Sequence, residues 1–186
     1  MVSKRLFLFS ALALGACRPE PPPAAIGGPF TLVDQDGRAV DERVLQGKWT
    51  AIYFGFTYCP DFCPATLQVL KEAKQRLGRR GDNLQVVLIS VDPERDTPAL
   101  LKTYLQNEAF PEGTIGLTGT PEQVAAAAKA YRVFYRKAGT GEDYTVDHAS
   151  LVYLMDPKGR YDRVIANGTS PEETARIIGD AMSGRS

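Results

Sequence analysis

The sequence lacks an excess of charge of either sign, since 22 lysines and arginines balance 22 aspartates and glutamates among 186 residues. Nucleic-acid binding usually needs a basic excess, so we expect no nucleic acid among the partners. Histidine and cysteine are also scarce, with one and three copies. The hydrophobic content of 44% and the charged content of 24% are typical of a globular domain, and the length favours a single core.

A hydrophobic run long enough to cross a membrane is missing from the N-terminus. The apolar run there, "LFLFSALAL", covers only residues 6–14, whereas a spanning helix needs roughly 20 residues. Because it follows Lys4 and Arg5, this segment is typical of an export signal. The "LGAC" that ends at Cys17 resembles the lipobox of bacterial lipoproteins, in which the cysteine receives lipid and becomes the new N-terminus. A plain cleaved signal or a short uncleaved anchor remains open.

These features predict three segments along the chain. Residues 1–16 form a lipoprotein-type signal peptide, and residues 17–28 form a lipidated cysteine with a tether rich in proline and glycine. Residues 29–186 form one folded domain. The tether would hold this domain off the membrane.

Strand and helix patterns alternate from residue 30 onward. Two apolar runs, "WTAIYFGF" and "NLQVVLISVD", are typical of buried central strands, and helical patterns follow them. Hairpins are predicted at both ends of the domain, around the turns "QDG" and "PKG". Strands separated by crossover helices indicate a central mixed sheet flanked by helices, and this order suits a thioredoxin-like fold of the α/β class.

Two of the three cysteines, Cys59 and Cys63, lie in "FTYCPDFCP", where a central strand ends and a helix is predicted to begin near Pro64. Ligands usually bind at this edge of open α/β sheets. A helical spacing of four places both sulfurs on one face, and the helix N-terminus favours thiolate over thiol. Pro60 and Pro64 restrict the loop. The pair is a candidate redox or metal site, while a buried disulfide or two inert core thiols remain open.

His148, in "YTVDHAS" at the mouth of the C-terminal hairpin, is the one histidine of the chain. A lone histidine is more often a packed or surface residue than a ligand. Together with Cys59 and Cys63, however, it would form a soft group of three donors suited to copper, as Cu(I) or Cu(II). Zinc accepts the same donors, but structural zinc usually takes four ligands, and a lipidated Cys17 leaves no third thiol.

Two carboxylates are weaker candidates for the surroundings of this site, and either would be able to supply a fourth contact. Asp92 follows the second central strand, so it either lies beside the cysteine loop, near the metal, or merely ends the strand in a turn. Asp147 precedes His148 and either orients the imidazole or remains a solvated turn residue. Adjacent residues of a strand point to opposite faces, which ranks Asp147 below Asp92.

Four motifs together resemble one known family. In chain order they are "YFGFTYCPDFCP", "ISVDPERDTP", "GLTGTPEQV" with "AYRVFY", and "DYTVDHASLVYLMDPKG". Their order and spacing are similar to those of the SCO/SenC family of copper-binding assembly factors for cytochrome c oxidase, from about residue 28 to the last helix. A general thioredoxin differs, because it has two residues between its cysteines rather than three.

The resemblance implies a thioredoxin-like fold and copper bound by Cys59, Cys63 and His148. It also implies that the domain lies on the outer, periplasmic or extracellular, face of the cell membrane. The implied partners are a copper donor protein and the copper-centre domain of cytochrome c oxidase subunit II, where the protein would help to build the binuclear copper centre. Many family members keep an N-terminal membrane helix, whereas this chain resembles a lipoprotein.

Two functions remain open within this resemblance. A metallochaperone would carry copper to an acceptor whose cysteines take the metal by ligand exchange. A thiol-disulfide oxidoreductase would instead use Cys59 or Cys63 as a redox pair to reduce a disulfide of the acceptor, so that the acceptor can then bind metal. Only the metallochaperone requires His148. A peroxidase related to peroxiredoxins is a weaker alternative, since it would need a site built for peroxide and the motif "VDH" does not indicate one.

Overall fold

The structure is a computed structural model, and it describes residues 26–141 and 143–185. The predicted signal peptide, the predicted lipidation site Cys17 and the predicted tether up to residue 25 lie outside the described residues. Within the described part of the chain, no helix has the length and the apolar character needed to cross a membrane.

The described chain contains nine strands and four α-helices. The strands are β1 (Thr31–Asp34), β2 (Ala39–Asp41), β3 (Trp49–Gly55), β4 (Leu84–Ser90), β5 (Ile115–Thr118), β6 (Tyr135–Ala138), β7 (Thr145–His148), β8 (Leu151–Met155) and β9 (Tyr161–Ala166). The α-helices are α1 (Phe62–Arg76), α2 (Pro98–Leu105), α3 (Pro121–Ala130) and α4 (Pro171–Met182). Of these, α1, α2 and α3 separate the strands β3, β4, β5 and β6. Short 3-10 helices at Glu42–Leu45 and Gly78–Asn83 precede β3 and β4.

Seven of the strands form one mixed sheet in the order β2-β1-β5-β4-β3-β8-β9. The central strands β3, β4 and β5 are parallel, whereas the hairpins β1-β2 and β8-β9 add antiparallel strands on either side. Side chains of β3 and β4 are buried along nearly their whole length, as expected for parallel strands covered on both faces. The predicted α/β class, the central mixed sheet and the two hairpins are confirmed.

Local signals start helix α4, which has Ser170 as its N-cap and Pro171 at its first helical position. Helix α1 begins at Phe62, two residues before the predicted start at Pro64. This earlier start matters for the candidate site, because it brings Cys63 into the first turn of the helix.

Strands β6 and β7 form a separate two-stranded ribbon, which the sequence analysis did not predict. His148 is the last residue of β7 and pairs with Tyr135 of β6. It therefore lies on this ribbon rather than on the C-terminal hairpin β8-β9. The ribbon escaped prediction because each strand has only four residues and exposes half of its side chains, so neither strand shows an apolar run.

Candidate metal centre

The two cysteines lie at the junction of β3 and α1. Cys63 is fully buried in the first turn of α1, and Cys59 lies in the preceding loop with 9% of its surface exposed. Two hydrogen bonds shape the loop: the Cys59 N–H donates to the Phe56 carbonyl (3.3 Å), and the Cys63 N–H donates to the Cys59 sulfur (3.4 Å). Both cysteines are free thiols, so neither sulfur is engaged in a disulfide.

His148 completes a group of three donors. One donor atom each from Cys59, Cys63 and His148 lies within 4.8 Å of the other two. The imidazole Nε2 is 3.9 Å from the Cys63 sulfur, while Nδ1 is 3.3 Å from the Ala149 carbonyl oxygen. A proton on Nδ1, donated to that carbonyl, leaves the Nε2 lone pair for a metal, and this is the tautomer that metal binding through Nε2 requires.

Two aromatic rings pack against the imidazole of His148. Its ring centre lies 5.9 Å from that of Tyr53 and 5.8 Å from that of Phe56, both in nearly perpendicular orientations. The fully buried Tyr53 also donates its hydroxyl hydrogen to the Cys63 sulfur (3.8 Å). Tyr53 was not among the predicted site residues. The available signal was the alternation of side chains along β3, which places Tyr53 on the same face of the strand as Gly55, the last residue before the cysteine loop.

The two thiols differ in protonation in the metal-free protein. The pKa of Cys59 is lowered to about 4, chiefly by the hydrogen bond from the Cys63 thiol and further by His148 and backbone N–H groups. The pKa of Cys63 is raised, because its thiol is hydrogen-bonded to Cys59 and is buried. The site therefore carries one thiolate at neutral pH, and an incoming metal has to displace the proton of Cys63.

We expect Cys59 to react with iodoacetamide as a thiolate well below neutral pH. Since its pKa is lowered to about 4, the alkylation rate should fall only as the pH drops through that value. Peptide mapping by mass spectrometry after brief exposure of the metal-free protein measures the rate. Cys63→Ala removes the thiol donor, so it should move the midpoint upward. A wild-type midpoint near 8.5, the ordinary cysteine value, would contradict the expected stabilisation of the thiolate.

Gly55→Ala should disturb the site by steric crowding. A Cβ at this position would lie 2.9 Å from the Cys63 sulfur and 2.7 Å from the Tyr53 ring. We expect the free energy of unfolding to fall by about 1–3 kcal/mol, as in other overpacked cores, and metal binding to weaken because the sulfur must move. Urea denaturation and metal titration measure these effects. Gly28→Ala is the matched control, since among the described residues its Cβ would meet only Ala130, at 3.6 Å. Equal effects in both variants would contradict the crowding.

The two carboxylates named by the sequence analysis bind other groups. Asp92 is buried and accepts hydrogen bonds from Arg95 Nε (2.5 Å) and from the Tyr144 hydroxyl (2.5 Å). The side chain of Asp147 is half exposed and forms a salt bridge with Arg136 (2.9 Å). Among the described residues, the group of converging donors includes neither carboxylate. The fourth contact considered in the sequence analysis is therefore not part of this arrangement.

A further carboxylate, which the sequence analysis did not single out, fixes the start of the cysteine loop. Asp96 is fully buried and accepts hydrogen bonds from the Thr57 N–H (3.0 Å), the Thr57 hydroxyl (2.6 Å) and the Ser90 hydroxyl (2.7 Å). Burial raises the pKa of Asp96, although these hydrogen bonds act in the opposite direction. Because Thr57 lies two residues before Cys59, Asp96 connects the cysteine loop to the end of β4.

The site opens to solvent through a cleft of about 330 Å³. Cys59 and His148 line this cleft together with Phe62, whose side chain is 58% exposed. Cys63 is fully buried. A partner that enters the cleft can therefore reach Cys59 and His148 directly.

Comparison with known sequences shows close similarity to one family. The SCO1/SenC family model matches residues 18–183. The Arabidopsis thaliana protein named "Protein SCO1 homolog 1, mitochondrial" is 47% identical over 137 residues, which are 73% of this chain and 40% of that protein. The chain thus matches less than half the length of this relative.

Solved structures share the fold. The crystal structure of Arabidopsis thaliana ScoI with copper bound has a TM-score of 0.81 and 39% identity, and the match covers 86% of this chain and 99% of the other. The structure of BsSco, described by its disulfide switch and as a member of the Sco family of cytochrome c oxidase assembly proteins, has a TM-score of 0.69 and 27% identity. That match covers 88% of this chain and 95% of the other. The predicted thioredoxin-like fold is confirmed.

Proposed function

The chain belongs to the SCO1/SenC family, and from this premise we propose that it is a copper metallochaperone for the assembly of cytochrome c oxidase. The proposed copper ligands are Cys59, Cys63 and His148. One observation carries the proposal: donor atoms from two thiols and one imidazole, on different elements of the fold, converge within 4.8 Å.

The chemistry of these donors suits copper. Thiolates bind Cu(I) strongly, and imidazole binds copper in both oxidation states, so both Cu(I) and Cu(II) fit the site. Structural zinc usually closes with four protein ligands, whereas the group of donors in the described part of the chain has three members. A three-donor site also leaves copper open to a ligand from another protein, which is what delivery requires.

Delivery would proceed by exchange of ligands at the cleft. A cysteine of the acceptor can replace Cys59 or His148 first, because both line the cleft, and buried Cys63 would release copper last. The proposed acceptor is the copper-centre domain of cytochrome c oxidase subunit II, where copper enters the binuclear centre. The proposed source of copper is a donor protein.

We further propose that the domain is lipid-anchored at Cys17 on the outer, periplasmic or extracellular, face of the cell membrane. The support is the sequence alone, since "LGAC" ends an apolar run too short to span a bilayer. Mass spectrometry of the protein extracted from membranes should find an acylated Cys17 as the first residue. Recovery of residues 1–16 on the mature chain would refute this anchor.

The alternative function is a thiol-disulfide oxidoreductase, favoured by the unequal protonation of the two cysteines. The thiolate of Cys59 would attack the acceptor disulfide, forming a mixed disulfide and releasing one acceptor thiolate, which takes up a proton. Cys63 would then lose its proton and attack Cys59, which forms the Cys59–Cys63 disulfide and frees the second acceptor thiol. Two electrons pass to the acceptor, so another dithiol would have to reduce the protein before the next cycle.

One experiment separates the two functions. The reduced protein is titrated with copper under anaerobic conditions and then mixed with the acceptor domain, once with free thiols and once as a disulfide. Copper transfer to the dithiol form supports the metallochaperone. Reduction of the disulfide form by copper-free protein, without copper transfer to the dithiol form, would favour the oxidoreductase instead.

A further inference from the structure

The position of His148 depends on how the β6-β7 ribbon is held. In the described part of the chain, this ribbon forms its own sheet and is not paired with the seven-stranded sheet. An isolated two-stranded hairpin is marginally stable in water. Side-chain contacts must therefore keep the ribbon, and His148 with it, beside the loop that carries Cys59.

Arg95 makes contacts with both segments. Its Nη1 donates a hydrogen bond to the Tyr144 carbonyl oxygen (3.0 Å), and its guanidinium carbon lies 3.7 Å from the centre of the Tyr144 ring. The same carbon lies 4.6 Å from the centre of the Tyr58 ring. Tyr144 directly precedes β7, and Tyr58 directly precedes Cys59. One largely buried cation, with 16% of its side chain exposed, thus touches both ligand-bearing segments.

Asp92, just after the end of β4, holds Arg95 and Tyr144 in place. One oxygen of its buried carboxylate accepts a hydrogen bond from Arg95 Nε, and the other accepts one from the Tyr144 hydroxyl, each at 2.5 Å. Charge-assisted hydrogen bonds between buried groups are short and strong, and the low local dielectric strengthens them further. We call Asp92, Arg95 and Tyr144 the Arg95 cluster.

We propose that Arg95 is a positioning residue for the third copper ligand, because the Arg95 cluster holds the strand of His148 beside the cysteine loop. This inference rests on the proposed function and deepens it. With the cluster intact, the site offers two sulfurs and one nitrogen. With the cluster broken, the ribbon moves and His148 is no longer held firmly beside the two sulfurs. Since two thiolates suffice for Cu(I) while Cu(II) favours nitrogen donors, Arg95 strengthens the binding of Cu(II) selectively.

The first test uses the copper-free full chain. Arg95→Ala should speed amide hydrogen exchange in Tyr135–Ala138 and Thr145–His148, while exchange in β3 stays slow. Arg176→Ala is the matched control, because Arg176 also forms salt bridges, with Glu173 and Asp180, but lies on α4. Exchange in the ribbon should be unchanged in this control.

The second test compares the two oxidation states of copper in chelator competitions. Arg95→Ala should lower Cu(II) affinity about 10- to 100-fold, the usual loss when a residue that supports a metal ligand is removed. The Cu(I) affinity should stay at the wild-type level. The visible spectrum of the Cu(II) form should shift toward that of His148→Ala. A general loss of structure would instead weaken both oxidation states.

The outcomes separate this inference from the proposed function. If His148→Ala binds Cu(II) as the wild type does, the copper site itself fails. If His148→Ala loses Cu(II) but Arg95→Ala keeps wild-type Cu(II) affinity, or loses Cu(I) and Cu(II) equally, the copper site stands and the positioning role fails. Should Arg95→Ala not fold, Tyr144→Phe decides, because it removes one bond to Asp92 and keeps the ring. A smaller but selective loss of Cu(II) then supports the role, and an unchanged affinity overturns it.

Discussion

Oxidation of Cys59 and Cys63 to a disulfide is expected to remove nearly all copper affinity from the protein. A sulfur that is bonded to another sulfur is no longer a thiolate, and thiolates are the strong ligands for Cu(I). The two sulfurs lie within 4.8 Å of each other, so they are near neighbours and candidates for one disulfide. Anaerobic chelator competition with the reduced and the oxidised protein measures the difference.

The control for this prediction is a variant that carries both Cys59→Ser and Cys63→Ser. Its copper affinity should match that of the oxidised wild type, because both proteins lack thiolates. Equal copper affinity of the reduced and oxidised wild type would refute a site built on two thiolates. If the prediction holds, the redox state of the cysteine pair decides whether the protein can be loaded with copper.

The second large effect is expected for His148→Ala, which removes the one nitrogen donor of the group. Cu(II) affinity should fall more than about 100-fold, since removal of a residue that only supports a ligand already costs 10- to 100-fold. Cu(I) affinity should fall much less, because Cys59 and Cys63 can hold Cu(I) between two thiolates. Chelator competition for each oxidation state, together with the visible spectrum of the Cu(II) form, measures the change.

Asp147→Asn is the matched control for His148→Ala, because it changes the neighbouring residue of the same strand. The Asp147 carboxylate pairs with Arg136 and is half exposed, so we expect nearly unchanged copper binding. Thiol-disulfide exchange by the cysteine pair should survive His148→Ala with a shifted pH dependence, because His148 helps to lower the pKa of Cys59 but takes no direct part in the exchange. Wild-type Cu(II) affinity and an unchanged spectrum in His148→Ala would remove the basis for the copper site and favour the oxidoreductase.

The place of the cysteine pair was predictable from the sequence, because it depends on which elements directly precede and follow the pair in the chain. An apolar strand pattern ends just before Cys59, and a helix pattern follows, so the pair had to lie at the edge of the sheet where ligands bind. The motifs were also sufficient to identify the family resemblance. The predicted start of α1 was wrong by two residues, because the ends of helices depend on local hydrogen bonds that the pattern does not reveal.

The surroundings of the site were not predictable in the same way. Asp92 was predicted either to lie beside the cysteine loop or to end the strand in a turn, and the sequence could not show that its carboxylate binds Arg95 and Tyr144, which lie three and 52 residues away in the chain. Tyr53 was missed although alternation along β3 places it on the face of Gly55, and nothing in the local pattern of Asp96 shows that it reaches the cysteine loop. Their contacts with Cys63 and Thr57 cross between elements and exist only after the strands and helices have packed.

The sequence by itself determined the α/β architecture, the CxxxC pair at the end of a central strand and His148 as the one available imidazole. These features follow from hydrophobic period, composition and spacing, which act over short stretches of chain. Only the tertiary structure decided that His148 reaches Cys63 across 85 residues, on a ribbon that pairs with no strand of the main sheet in the described chain. The physical reason is that side-chain contacts between distant segments hold this ribbon, and a local pattern carries no information about them.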